Sequence, residues 1–127
     1  MADMTTQAQI HVYGIAHCDT VKKARQWLTD QQLDFVFHDF KKEPPTAAQI
    51  QAWQQAVGWD KLLNRQGQTW RKLSPEQQAL IQDAAHAAAF LQEQPSAIKR
   101  PVVQWADGRT TIGFQAQAWA SALTHPL

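Results

Sequence analysis

The residue with the clearest chemical potential is Cys18, the single cysteine of the chain. It lies between a short apolar run ending in Gly14 and a stretch where Val21, Ala24, Trp27 and Leu28 recur at helical spacing. A thiol at the start of a helix meets unpaired N–H groups and the positive end of the macrodipole. Both lower its pKa from about 8.5 toward the range where thiolate is abundant at neutral pH. One thiol cannot close an internal disulfide or build a multi-thiolate zinc site, so redox chemistry at this sulfur must run through a second molecule. Lys22 and Lys23 occupy the first turns, where a cation is mildly unfavourable for the helix itself, and a nearby anion would account for both. His17 adjoins the sulfur and is a candidate to stabilise a thiolate. Asp19 acts in the opposite sense, since its charge would raise the thiol pKa, and the net shift stays open at this level. The competing reading of a solitary cysteine is a small buried apolar residue.

A second constellation is Ile98-Lys99-Arg100-Pro101-Val102, two cations and a proline directly before a β-prone run. An X–Pro bond becomes cis at a cost of only about 0.5–1 kcal/mol, and a cis Pro101 would aim Arg100 toward the carboxyl end of the first strand. A guanidinium there offers a planar fork that matches carboxylates and oxyanions. The competing reading is a solvated pair of charges entering a strand. Arg65, Arg71 and Lys72 fall in an irregular stretch, where such residues either close over anions or are simply solvated. His11, His17, His38, His86 and His125 show no metal-ligand spacing, so no metal is expected. Glycine-rich phosphate loops and serine nucleophile motifs are absent.

These groups need elements to hold them. Ile10-His11-Val12-Tyr13-Gly14 reads as a strand, followed by a helix of about three to four turns. A second strand falls within residues 33–40, and a right-handed crossover would make the pair parallel. After Pro44-Pro45, Thr46-Ala47-Ala48-Gln49 has the reciprocal capping pattern of a helix start, with Ile50, Trp53 and Val57 as its stripe and Gly58 as its terminator. Residues 59–73 read as short helical turns and a loop. Ser74-Pro75-Glu76 opens another helix, and the alanine-rich tract 77–94 forms one broken helix or two. Residues 101–105 and 109–113 are β-prone and joined through Asp107-Gly108, an antiparallel hairpin signal. A last helix carrying Phe114, Trp119 and Leu123 ends near His125-Pro126. Most of the tryptophans read as core. Strand-helix-strand, a helical block, then strand-strand-helix is a thioredoxin-type α/β layout: a mixed four-stranded sheet with a helical insertion over about 45–97, in one domain spanning 1–127.

Composition fits. The chain has 127 residues, within the usual span of one domain, and 44% are hydrophobic. Twelve basic residues against 11 acidic leave no large excess of cations to neutralise phosphates, so a nucleic-acid partner is not expected. No run approaches the roughly 20 apolar residues that span a bilayer, and the longest, 84–91, is interrupted by His86. Residues 1–9, MADMTTQAQ, lack the features of a secretory signal, and a cytoplasmic protein is expected.

The segments VYGIAHCDTVKKARQWL, DFKKEPPT, WDKLLNRQGQTWRKL and SAIKRPVV, followed by IGF, resemble the ArsC-like arsenate reductase family in its YffB-like branch, related to the Spx regulators. The similarity runs from about residue 10 to 123. It implies a thioredoxin-like fold, a catalytic cysteine carried onto Cys18, and arginines at Arg100 and Arg65 that hold an oxyanion. It also implies glutathione as co-substrate and glutaredoxin as a possible partner. The family's third arginine has no counterpart in Thr111-Ile112-Gly113-Phe114, so true arsenate reduction ranks behind a generic reductase. A Cys-x-x-Cys switch is excluded, because Val21 occupies the second position. The expected function is a monomeric, glutathione-dependent thiol reductase acting on a small oxyanion or disulfide. Cys18, Arg100 and Arg65 would be catalytic, while His17, Lys22, Lys23, Lys99 and Pro101 would bind substrate or glutathione. The alternative is a non-catalytic, Spx-like interaction or regulatory module.

Overall fold

A computed structural model describes residues 9–124 of the chain. They fall into two compact units: one formed by the described residues up to Asp39 with those from Arg100 onward, the other by Phe40–Lys99.

The first unit carries the sheet. Strand β1 (Ile10–Gly14) leads through a turn into helix α1 (Asp19–Asp30), and β2 (Phe35–Asp39) returns parallel to β1. Strand β3 (Val102–Gln104) pairs antiparallel with β1 and β4 (Thr110–Ile112) antiparallel with β3, giving the order β2-β1-β3-β4. This is the expected mixed four-stranded sheet. The Asp-Gly hairpin is present, with Gly108 at φ +95° and its N–H donating to the Trp105 carbonyl at 2.9 Å. On one face Ile10, Val12 and Val103 meet Ala24 and Leu28 of α1 and Trp119 of the last helix. Period-2 alternation explains the choice, since these residues share one side of the pleat. Phe114, expected on the last helix, precedes it and packs edge-on against Trp119 at 4.7 Å between ring centroids. The Leu123 side chain, His125 and Pro126 lie outside the described residues, as do residues 1–8.

Two local features fix α1. Gly14 has no side chain because one would collide with the helix: a Cβ there would stand 2.8 Å from Val21 Cγ2. At the other end Gln32 takes φ 60°, while Leu33 N–H reaches back to the Leu28 carbonyl (3.0 Å) and Gln32 N–H to that of Thr29 (2.9 Å). These are the two bonds of a Schellman cap, which calls for a left-handed residue at the position of Gln32.

The second unit is helical: α2 (Ala47–Val57), α3 (Trp59–Leu62), α4 (Gln68–Arg71), α5 (Pro75–Ala79) and α6 (Ala84–Glu93), then a 3-10 turn at Pro95–Ala97. The expected reciprocal cap of Thr46 with Gln49 forms, and the helix opening expected at Ser74 also closes a capping box, with Gln77. The alanine-rich tract is two helices, because Asp83 accepts the His86 N–H at 2.8 Å and starts a new one. Trp53, Ile50, Leu62, Leu91 and Ile98 are fully buried in this unit.

Candidate functional site

The turn after β1 is built so that Cys18 ends it and begins the helix. Cys18 N–H donates to the Ile15 carbonyl (3.0 Å), and its own carbonyl accepts the Lys22 N–H (2.9 Å). The residue is extended at φ −78° and ψ 126°, the geometry of an N-cap, but its side chain completes no cap hydrogen bond. The half-buried sulfur therefore lies at a helix start with its backbone pinned on both sides.

Its pKa is lowered. Partial burial pushes the thiol up, and four influences outweigh it: the Val21 N–H, a hydrogen bond from Arg100, the charge of that guanidinium, and the Thr20 N–H. The opposition expected from the exposed Asp19 does not decide the outcome. The cation foremost in its effect on the sulfur is Arg100, which the carboxyl-terminal half of the unit contributes; Lys22 and Lys23 are exposed on α1. The Arg100–Pro101 peptide bond is cis, and Pro101 is buried, with its carbonyl accepting the Gly113 N–H at 2.9 Å. His17 is exposed in the turn.

Arg65 and Lys99 belong to the second unit. There Leu63 and Ile98 form a bridge and Lys99 N–H donates to the Leu62 carbonyl at 2.8 Å, so the segments carrying the two cations run side by side. Arg65 holds Asp60 through Nη2 at 2.6 Å and lies near the rings of Trp59 and Trp70, 5.7 and 5.5 Å from their centroids. Arg71 and Lys72 are exposed. Among the described residues no group of three or more His, Cys, Asp or Glu side chains is placed to hold a metal ion, and no helix is long and apolar enough to cross a membrane.

The backbone donors of Thr20 and Val21 are not marked by their residue types, although a helix start supplies such N–H groups by construction. The pairing of His11 with His38 on the sheet is likewise revealed by no spacing along the chain.

A mixed β2-β1-β3-β4 sheet, a cysteine at the start of the first helix and an arginine joined through a cis bond to the proline before the third strand define a thioredoxin-like α/β protein with a single-thiol site. The ArsC family model matches residues 13–122, and the chain belongs to the ArsC family. The solved structure of the YffB protein is 43% identical, with a TM-score of 0.84, and the match covers 91% of this chain and 99% of that one. An arsenate reductase (ArsC) related protein from Brucella melitensis is 40% identical at a TM-score of 0.73, covering 92% and 96%. An uncharacterized protein of Haemophilus influenzae is 38% identical over 113 residues, 89% of this chain and 97% of the relative.

Proposed function

We propose that the chain is a glutathione-dependent thiol reductase that works through the Cys18 thiolate. The observation that supports this most strongly is the lowered pKa of a half-buried thiol facing both the first N–H groups of α1 and the Arg100 guanidinium. In this reading the thiolate attacks the glutathione sulfur of a mixed disulfide RS–SG. A Cys18–SG bond forms, the S–S bond of the substrate breaks, and RS⁻ leaves to take a proton from water. A second glutathione, as thiolate, then attacks the glutathione sulfur of that adduct. Glutathione disulfide leaves and the Cys18 thiolate returns, so the net exchange is RS–SG + GSH → RSH + GSSG, in which RS is reduced to the thiol and the incoming glutathione is oxidised.

Arg100 serves both steps, because negative charge resides on Cys18 before the first and is restored there after the second. Glutathione is an anionic tripeptide, and Lys22, Lys23 and Lys99, with His17 and Pro101, are proposed to receive it; Arg65 is proposed as a second arginine for an anionic substrate. Glutaredoxin is proposed as the partner that clears the adduct where free glutathione is slow, and the working form is proposed to be a cytoplasmic monomer. The test is turnover of a glutathione mixed disulfide coupled to glutathione reductase. Wild type should consume NADPH in proportion to enzyme, and Cys18→Ser should not. Full activity in Cys18→Ser would end the assignment. An inert wild-type enzyme would favour a non-catalytic interaction module, and arsenate in place of the disulfide tests the remaining possibility.

A further inference from the structure

A second cluster of titratable groups lies on the side of the sheet away from α1. Strand register puts His11 and Tyr13 of β1, His38 of β2 and Gln104 of β3 on this face, while Ile10, Val12 and Val103 point to the other. Among the described strand residues that the register places on this face, the titratable ones are His11, Tyr13 and His38; Gln104 and Thr110 of β4 add neutral polarity.

His11 Nδ1 stands 2.9 Å from His38 Nε2. The ring centroids are 5.1 Å apart with planes 26° from parallel, so the rings meet end to end and not face to face. In that arrangement the lone pair of one nitrogen aims at the N–H of the other, which suits a shared proton. Tyr13 holds the pair in place: its ring stacks on His38 at 4.4 Å and 13°, and its hydroxyl donates to Gln104 Oε1 at 3.1 Å.

We propose that His11 and His38 form a one-proton latch between β1 and β2, closed while at least one ring is neutral and opened when both are protonated. Whichever ring donates, only one hydrogen fits between the two nitrogens. A first added proton goes to an outward nitrogen and strengthens the bond by giving it charge. A second must enter the gap, where two N–H groups then confront each other beside a second positive charge. Burial and the charge of His38 both hold the His11 pKa below the ordinary histidine value, in keeping with resistance to that second proton. The latch joins the edge strand β2 to the strand that delivers Gly14 to the Cys18 turn. Its opening loosens that edge in acid and needs no chemistry at the sulfur.

The test uses the full chain and NMR. Ring signals of His11 and His38 are followed from about pH 8 to pH 4, together with amide protection in β1 and β2. Each ring should report two steps, its own and its neighbour's, and protection should fall roughly tenfold or more across the lower one. In His38→Gln, the His11 titration should become a single step and move up, yet stay below the ordinary value because burial persists. In His11→Gln, where the amide can still bond His38 but cannot ionise, protection should no longer fall across that interval. Independent single-step titrations of the two wild-type rings would overturn the latch, with no variant needed. An unchanged loss of protection in His11→Gln would overturn it equally.

Discussion

Cys18 and Arg100 are far apart in the chain, and the site exists because β1 and β3 are paired and each delivers one of them. Removing the guanidinium removes two of the influences that lower the thiol pKa, so Arg100→Met should raise the pH inflection of thiol alkylation. The rate at pH 7 should fall roughly three- to tenfold, a shift of up to about one unit. Lys22→Met and Lys23→Met should leave that inflection in place while raising KM for glutathione, which steady-state kinetics measures. Linkage gives a further expectation. The folded thiol titrates below the unfolded one, so folding gains stability as pH rises through the interval between the two values and loses it as pH falls through the folded one. Urea titrations at several pH values should find this increment in the reduced wild type and not in Cys18→Ser. At this scale the position of Cys18 was legible, because glycine, turn and helix start are local signals. Asp19 was legible as an opposing charge but not as the weaker one, since the counterweight comes from backbone N–H groups and from an arginine that only tertiary pairing supplies.

Elements whose ends carry their own chemistry were readable from the chain. Thr46 with Gln49 and Ser74 with Gln77 close reciprocal bonds within four residues, so no distant contact is needed to foresee them. Thr46→Ala should cost about 1 kcal/mol in chemical denaturation. The division of the alanine-rich tract was not readable to the residue, because helix propensity runs through it and the break depends on Asp83 capping while Ile81 turns inward. Gly14 reads as a strand terminator in the sequence, whereas in the fold it lets α1 approach β1. Gly14→Ala should cost about 1–3 kcal/mol through overpacking against Val21, and a double-mutant cycle with Val21→Ala should show coupling between the two. The same shift would displace the helix start and alter alkylation of Cys18. Gln32→Gly should stabilise by up to about 1 kcal/mol, since its left-handed backbone disfavours a side chain.

For the molecule as a whole, the parallel first pair and the antiparallel hairpin were legible in the strand-helix-strand and Asp-Gly patterns, whereas the pairing of β1 with β3 that sets the order was not, being a contact between distant segments; the helical block expected over 45–97 lies within the second unit, Phe40–Lys99. The histidine pair was invisible along the chain, because it depends on the parallel register that sets Tyr13 opposite His38 and so brings His11 within reach. Acid should destabilise the protein in two windows. His11 has a depressed folded pKa, so its contribution is present above the ordinary histidine value and is lost as pH falls from there through the folded one. Asp83 and Asp107, held low by the N–H groups and side chains of His86 and Arg109, lose theirs only below the ordinary carboxylate range. Thermal melts across pH should resolve both limbs. The most direct measurement of the central claim is the second-order rate of Cys18 alkylation by iodoacetamide as a function of pH. An inflection clearly below the roughly 8.5 of free cysteine, moving up in Arg100→Met, is the expected result. A thiol that titrates at or above that value, indifferent to Arg100, would contradict it.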